Sequence, residues 1–264
     1  MRIAGATVLL TGATGGIGQA IARDMHARGA QLILTGRRAD VLEPLAAELG
    51  ARALAVDLSD AADLERLLQE AGRVDILIAN AALPGSGSLE SFSVDQIDRA
   101  LDVNLRAPIV MTQVLAPQMA ARGSGHLLFV GSLSSKAASP QSSMYNATKF
   151  GLRGFALAMR AELRPSGVGV SLVCPGFIRE AGMFAEAGVA LPRGVGTRSP
   201  QDVARAVAGA IEHDRAEVDV APLTLRAGAA FASLAPGIAA SVTRRTGGDD
   251  IATALAAGHP EGKR

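Results

Sequence analysis

A single cysteine, Cys174, is all that the 264 residues contain, so no disulfide can form within the chain. It falls in the apolar run Val170-Ser171-Leu172-Val173-Cys174, where a small buried hydrophobe serves, and it reads as core rather than as a nucleophile. That one cysteine and the four histidines show no metal-ligand spacing, which argues against a zinc enzyme. An excess of either charge is lacking too. Twenty-six Lys and Arg stand against 25 Asp and Glu, and a formal net charge of +1 provides no broad field to hold DNA or RNA. Nucleic acid is therefore not an expected partner. Room for a secretory signal is also absent, because Met1-Arg2-Ile3-Ala4-Gly5 leads straight into an apolar run, and a cytoplasmic location is the expectation. The one stretch that suggests lipid contact, residues 227–242, is rich in small residues, interrupted by Pro236-Gly237 and too short to span a bilayer.

What is present is a chain with 48% hydrophobic content, long enough to bury one large α/β core. Short β-branched or Leu-rich runs alternate with longer Ala-rich amphipathic segments, the pattern of successive βαβ units and a parallel sheet buried on both faces. Strands are expected at residues 7–10, 31–35, 52–56, 75–79, 126–131, 169–174 and 217–221. Helices are expected to start near Gly16, Ala39, Ser59, Ser93, Val103, Ser142 and Ser199, several with Ser or Asp placed to cap free amides. The fold class is α/β: a doubly wound, seven-stranded parallel sheet in three layers, with its ligand crevice at the carboxyl ends of the strands. Residues 1–222 form the principal domain. Within it, residues 176–198, rich in Gly and Ala and containing Pro192, read as a substrate lid after a strand that ends at the crevice. Residues 223–264 are expected to add one or two helices and a frayed polar end.

The run Thr11-Gly12-Ala13-Thr14-Gly15-Gly16-Ile17-Gly18 follows the first strand and opens a helix. Glycines stand where the chain must turn sharply and let a pyrophosphate approach the helix N-terminus, as a Rossmann-like dinucleotide site requires. Such a site for NAD places an acidic residue at the end of the second strand. Here Arg37 and Arg38 stand instead, able to bond a 2′-phosphate, so NADP(H) is expected in preference to NAD(H). Cations at a helix start oppose the macrodipole, which speaks against a merely structural pair. Asp57, followed by Leu58, reads equally as a contact to the adenine amino group and as a helix cap.

Tyr145, the only tyrosine, precedes Lys149 by four residues, which sets the two on one face of an expected helix. An ammonium next to a phenol favours the phenolate, the adjustment that acid/base work near neutral pH needs. With this pair, the chain resembles the short-chain dehydrogenase/reductase family from residue 7 to about 220. The resemblance rests on the TGxxxGxG turn at residues 11–18, Asn80-Ala81-Ala82 for the Asn-Ala-Gly element, Ser132 thirteen residues before Tyr145, the YxxxK motif itself, and Pro175-Gly176 after the sixth strand.

That resemblance implies roles. Tyr145 would be the general acid in carbonyl reduction, Ser132 would bond the carbonyl oxygen, and Lys149 would hold the nicotinamide ribose and lower the tyrosine pKa. Asn104 would steady a water in a relay from the lysine to solvent. Asn80 and Ala81 would stand next to the cofactor, as would Pro175, Gly176 and Ile178 in the loop beyond the sixth strand. Helices near Val103 and Ser142 would pair across a dimer axis, giving a homodimer or homotetramer. Two departures stand out. Ala82 replaces a glycine and adds a methyl group near the cofactor, and Glu180 stands where the family has a threonine for the nicotinamide carboxamide. Apolar residues dominate the presumed substrate side (Phe177, Ile178, Met183, Phe184, Val189 and Leu191 in the lid; Leu83, Leu133 and Met144 near the reacting centre), which favours a hydrophobic carbonyl or alcohol as substrate. Two further readings stay open, a 3-ketoacyl-thioester reductase and a catalytically silent NADP-binding sensor or scaffold. Residues 227–242, followed by Arg244 and Arg245, are expected to close over the pocket or to rest on a membrane surface.

Overall fold

The structure, a computed structural model, describes residues 1–189, 195–245, 253, 254 and 258, the side chains of Glu186 and Thr243 excepted. Of the expected lid, Leu191 and Pro192 lie outside the described residues, as does most of the chain beyond residue 245. The seven expected strands form as β1 (Thr7–Thr11), β2 (Gln31–Gly36), β3 (Arg52–Ala55), β4 (Ile76–Ala79), β5 (Gly125–Val130), β6 (Val168–Pro175) and β7 (Glu217–Val220). They make one parallel sheet in the order β3-β2-β1-β4-β5-β6-β7. The order reverses between β1 and β4, and that opening at the strand ends is where a doubly wound sheet holds its ligand.

Alternation along the strands feeds two cores. Val8, Leu10, Ile76, Ile78, Leu128 and Val130 turn to the face covered by α1 (Gly16–Ala27), α2 (Ala39–Glu48) and α8 (Pro200–Glu212). Leu9, Leu77, Leu127 and Phe129 turn to the other, covered by α3 (Ala61–Ala71), α5 (Ala107–Ala121) and α6 (Ser143–Leu163). Burial on both faces explains why β4 and β5 read as unbroken apolar runs. The remaining helices are α4 (Val94–Leu101), capped by the reciprocal Ser93/Gln96 pair, the short α7 (Gly182–Ala187) in the lid, and α9 (Leu223–Leu234) and α10 (Pro236–Arg245) after the last strand.

Two helix starts differ from expectation. Helix α3 begins at Ala61, not near Ser59, because Asp60 is its cap and accepts from the Asp63 amide, while Ser59 donates to Asp57 instead. No helix starts at Val103. Helix α4 runs on through a π-helical turn, Asp102–Arg106, into α5, and the Ala107 amide donates to the Asp102 carbonyl five residues back. Pro108 supplies a reason: without an N–H it cannot complete the ordinary bond to Asn104, and the wider turn absorbs the mismatch.

His126 of β5 is fully buried, its Nε2 lying 2.9 Å from the Ser171 hydroxyl, which itself donates to the Arg215 carbonyl at 2.6 Å. The imidazole therefore donates from Nε2. Burial pulls its pKa down to about 4, against the opposing charge of Asp214. Because the folded pKa lies below the unfolded value near 6.5, the unfolded chain protonates first, and stability present above that value is lost as pH falls toward 4. This group alone is expected to remove about 2 kcal/mol between pH 7 and pH 5. Urea unfolding at both values should show that loss in the wild type and a smaller one in His126→Gln, whose amide keeps a donor for Ser171.

Candidate active site

The turn between β1 and α1 is held by contacts that only glycine permits. Gly12 has φ +66°, and a Cβ there would lie 2.7 Å from the Ala81 Cα at the end of β4. A Cβ on Gly18 would overlap the Gly12 carbonyl, and one on Gly16 the Ala181 side chain. The N-cap of α1, Gly15, offers no side-chain bond and the first turn holds no acid, so the amides of the helix start face the crevice uncapped. Such an uncapped start has the geometry to hold a phosphate. Gly12, Thr14, Gly15, Gly16, Ile17 and Gly18 all line one cavity of about 1120 Å³. Its wall also holds the buried Thr35 hydroxyl, which has no hydrogen-bond partner among the described residues.

Beyond the cradle the cavity passes Arg37 and Arg38 at the end of β2. Arg38 is fixed across the turn, donating to the Thr14 carbonyl at 2.6 Å, while Arg37 stands exposed at the rim. Asp57 and Leu58 form the neighbouring wall. Asp57 caps no helix: one oxygen accepts from the amide and hydroxyl of Ser59 and the other from Arg99 at 2.7 Å. Burial pushes its carboxyl up, but the Ser59 bonds and the Arg99 charge outweigh that and hold it below the usual carboxylate range. Asn80 ties β4 to β1, its amide nitrogen donating to the carbonyls of Thr11 and Gly12, while the Thr11 hydroxyl accepts from the amides of Asn80 and Ala81. Ala82 lines the cavity next to them.

At the carboxyl end of β5 the chain enters the Ser132 turn. The Ser132 Oγ accepts from the Ser134 amide at 3.1 Å, which fixes it against the cavity. Tyr145, in the first turn of α6, and Lys149, one turn further, line the same wall. The Lys149 ammonium donates to the Val130 carbonyl at 3.0 Å and lies 5.6 Å from the centre of the Tyr145 ring. Burial pushes the lysine down to about 8. Burial also pushes the Tyr145 phenol up to about 12, with the hydrogen bond from Ser132 pulling the other way. The protein's own groups thus leave the phenol protonated, contrary to the lowering expected from Lys149, because the cost of burying a phenolate exceeds what Ser132 returns.

Asn104, in the π-helical turn, has both ends of its side chain engaged by Leu83: Oδ1 accepts from the amide at 2.6 Å and Nδ2 donates to the carbonyl at 3.0 Å. Neither end turns to Lys149. Instead the contact fixes the loop after β4 that walls the cavity.

Several working residues escaped the sequence reading. Asn146, directly after the tyrosine, donates to the carbonyls of Ser134 and Ala137 and accepts from the Ser139 amide, clamping the serine turn onto α6. Gly85 lets its loop lie against Tyr145, whose backbone N would be 2.8 Å from a Cβ there. Lys136 is buried in the cavity wall and bridges Asp219 at 2.6 Å and Glu217 at 2.5 Å on β7, and Arg153 of α6 holds the other oxygen of Glu217 at 2.6 Å. Burial pulls the lysine down, but its bonds to the two carboxylates outweigh this and raise it. Two cations thus meet two carboxylates, joining the serine turn, the tyrosine helix and the edge strand. An unassigned lysine four residues after Ser132 was the available signal, but its partners lie more than 80 residues away.

The far side of the cavity includes Pro175, Gly176, Phe177 and Ile178, and Ile178 pairs with Arg198 as a parallel bridge. Phe177 and Phe184 pack at 5.1 Å between ring centres. Leu83, Leu133 and Met183 line the cavity as expected, whereas Met144 is buried away from it. Glu180 does not line the cavity: it adopts φ +71° and pairs with Arg179 at 3.0 Å, its side chain largely in solvent. The carboxamide contact considered for it is thus not one its side chain is placed to make. Helices α9 and α10 close the remaining side, through Leu225, Ala229, Ala232 and Pro236 among others.

Residues 6–190 match the family model described as short chain dehydrogenase. Ketoacyl reductase HetN of Nostoc is 35% identical over 227 residues, covering 83% of this chain and 79% of that protein. The dehydrogenase/reductase SDR family protein 7-like of Anopheles gambiae is 32% identical over 255 residues, 89% of this chain and 80% of that one. Among solved structures, a short-chain dehydrogenase from Sphingobium yanoikuyae in complex with NADPH superposes with a TM-score of 0.75 at 29% identity, over 93% of this chain and 96% of that one. A 3-ketoacyl-(acyl-carrier-protein) reductase from Brucella melitensis complexed with NADH superposes with a TM-score of 0.73 at 27% identity, over 83% and 97%.

The ionic cluster makes a clear demand on stability. Lys136→Met leaves the half-buried Glu217 and Asp219 without their buried cation, Arg153 alone remaining beside them among the described residues, and urea unfolding at pH 7 should register a loss of about 1–3 kcal/mol. Adding Asp219→Asn to that variant should recover part of it, since one uncompensated charge is then removed.

Proposed function

Because the chain belongs to the short-chain dehydrogenase/reductase family of NAD(P)-dependent oxidoreductases, we propose that it uses NADP(H) to interconvert a carbonyl and an alcohol on an apolar substrate. The observation that carries this reading is the convergence of Ser132, Tyr145 and Lys149 on the cavity that begins at the glycine cradle. The cradle suits a dinucleotide: uncapped amides face it and glycines stand where any side chain would collide. Gly12 to Gly18 would hold the pyrophosphate, Asp57 and Leu58 the adenine end, and Pro175, Gly176 and Ile178 the nicotinamide end. Bound there, the cofactor supplies the hydride.

The protein supplies the proton. Tyr145 remains protonated across the neutral range and is the acid that donates to the carbonyl oxygen. Ser132 is held at the cavity wall by the Ser134 amide, and its hydroxyl, bonded to the Tyr145 phenol, can turn to donate to that oxygen as negative charge grows. Lys149, near 8, is mostly cationic at neutral pH and close enough to stabilise the phenolate left behind. The Asn104 side chain is engaged, so a water passing protons to Lys149 would rest on its carbonyl, which Pro108 cannot bond.

Arg37 and Arg38, with no acid beside them on β2, support NADP(H). Apolar residues on the substrate side, from Leu83 and Leu133 to Leu225 and Ala229, support a hydrophobic substrate. The 3-ketoacyl-thioester version draws support from the ketoacyl reductases among the relatives. Assembly as a homodimer or homotetramer is supported by the exposed Val114, Phe150 and Leu157 on α5 and α6.

Tyr145→Phe separates an enzyme from a silent binder. With NADPH and a panel of short ketones, long-chain ketones and 3-ketoacyl thioesters, kcat should fall by about 10²–10⁴-fold while NADPH binding by fluorescence is unchanged. A wild-type rate no greater than the variant's would favour the binder. Replacing Arg37 and Arg38 by Asp and Ser should lower the NADPH to NADH ratio of kcat/KM by about ten- to a hundredfold, the worth of lost charge-assisted bonds.

A further inference from the structure

Helices α9 and α10 have two apolar sides. One closes the cavity through Leu225, Ala229 and Ala232 of α9 and Pro236 of α10. The other stands in water: Leu234 is 86% exposed, Leu223 75% and Ile238 61%, and Phe231, at 46%, belongs to both the cavity wall and the surface. Isolated exposed hydrophobes are ordinary, but four of this size on one pair of helices at the rim of an apolar cavity form a patch that calls for a partner.

The charges indicate which partner. From residue 222 to 245 there is no Asp or Glu, while Arg226, Arg244 and Arg245 are present, in a chain whose overall charge is only +1. A second copy docking the same face by two-fold symmetry would set these cations against one another, and a symmetric interface must be self-complementary. An anionic lipid surface is complementary on both counts, taking the leucines into its acyl boundary and the arginines at its headgroups. The helices are too short to span a bilayer. They contain 12 and 10 residues, and no helix among the described residues is long and apolar enough to cross one.

We infer that α9 and α10 dock this protein on anionic membrane surfaces, with the rim of the substrate cavity at the lipid boundary. The inference rests on the carbonyl–alcohol reading for its consequence, delivery of apolar substrate from the bilayer, but not for the docking itself. Leucines and isoleucine on the outer side do not line the cavity, so they can be changed without touching the chemistry.

The test is flotation of the full-length protein with vesicles of phosphatidylglycerol and phosphatidylcholine, against phosphatidylcholine alone, for the wild type and for Leu234→Ser combined with Ile238→Ser. The wild type should float with the anionic vesicles, less so at high salt, and the variant's partition should fall by about tenfold or more. Turnover of a short, water-soluble ketone should be equal in both proteins, while turnover of a long-chain ketone carried in the vesicles should drop in the variant. Equal partition of wild type and variant, or of the two vesicle types, overturns the inference. So does a change of oligomeric mass on substitution without lipid binding, which would assign the face to a second copy. Vesicle binding with no ketone turned over would instead sink the carbonyl reading and leave the docking standing.

Discussion

The buried Lys149 ammonium is the constraint on which the catalytic half of the molecule depends. It lies within the protein with the Val130 carbonyl as its hydrogen-bond acceptor. A buried cation is costly, and burial pulls its pKa down to about 8. The same bond joins α6 to the carboxyl end of β5, the strand that leads into Ser132. A single contact thereby brings the tyrosine helix and the serine turn to one wall. Asn146 secures the arrangement from the side, bonding the backbone of the turn from the position next to Tyr145.

Around that wall the two halves of the cavity are built on different principles. The nucleotide half is backbone against backbone: Gly12 against Ala81, Gly18 against the Gly12 carbonyl, with Asn80 and Thr11 closing the bonds between β1 and β4. Nothing there can change size without moving a strand. The substrate half is made from side chains: the Phe177/Phe184 pair and the two C-terminal helices, all after β6, and the ionic cluster that ties Lys136 and Arg153 to Glu217 and Asp219 of β7. A hydroxyl of α9, Ser233, donates to the Lys136 carbonyl, so the charged cluster and the apolar wall share a residue. The division suits an enzyme whose cofactor end must be invariant while its substrate end is fitted to one class of molecule.

Local pattern carried much of this. Periodicity located all seven strands to within about two residues, because the central strands bury both faces and alternate between two cores within their own length. The glycine turn was readable since the steric demand is met within eight consecutive residues. Where neighbours in sequence mislead, the reading failed. Val103 looked like a helix start because the pattern restarts there, yet the real cause is Pro108 forcing a wider turn in a helix already under way. Of the two readings that Asp57 leaves open, the cap goes to Asp60, and Asp57 is bonded to Arg99, which is 42 residues distant. Glu180 stands at a cofactor position by spacing and points outward by backbone conformation.

The amino-acid sequence alone determined the sheet, the phosphate turn, the pairing of Tyr145 with Lys149 on one helix face and the choice of arginine over acid at the end of β2, all of them consequences of spacing within a strand, a turn or a helix. Tertiary structure alone decided the protonation preferences of those two residues, the partners of Lys136 and Asn104, and the double-sided role of α9. Burial, which shifts a phenol to about 12 and an amine to about 8, is set by atoms from segments far apart in the chain. No window of the chain contains them together, and that is why only the folded molecule reveals them.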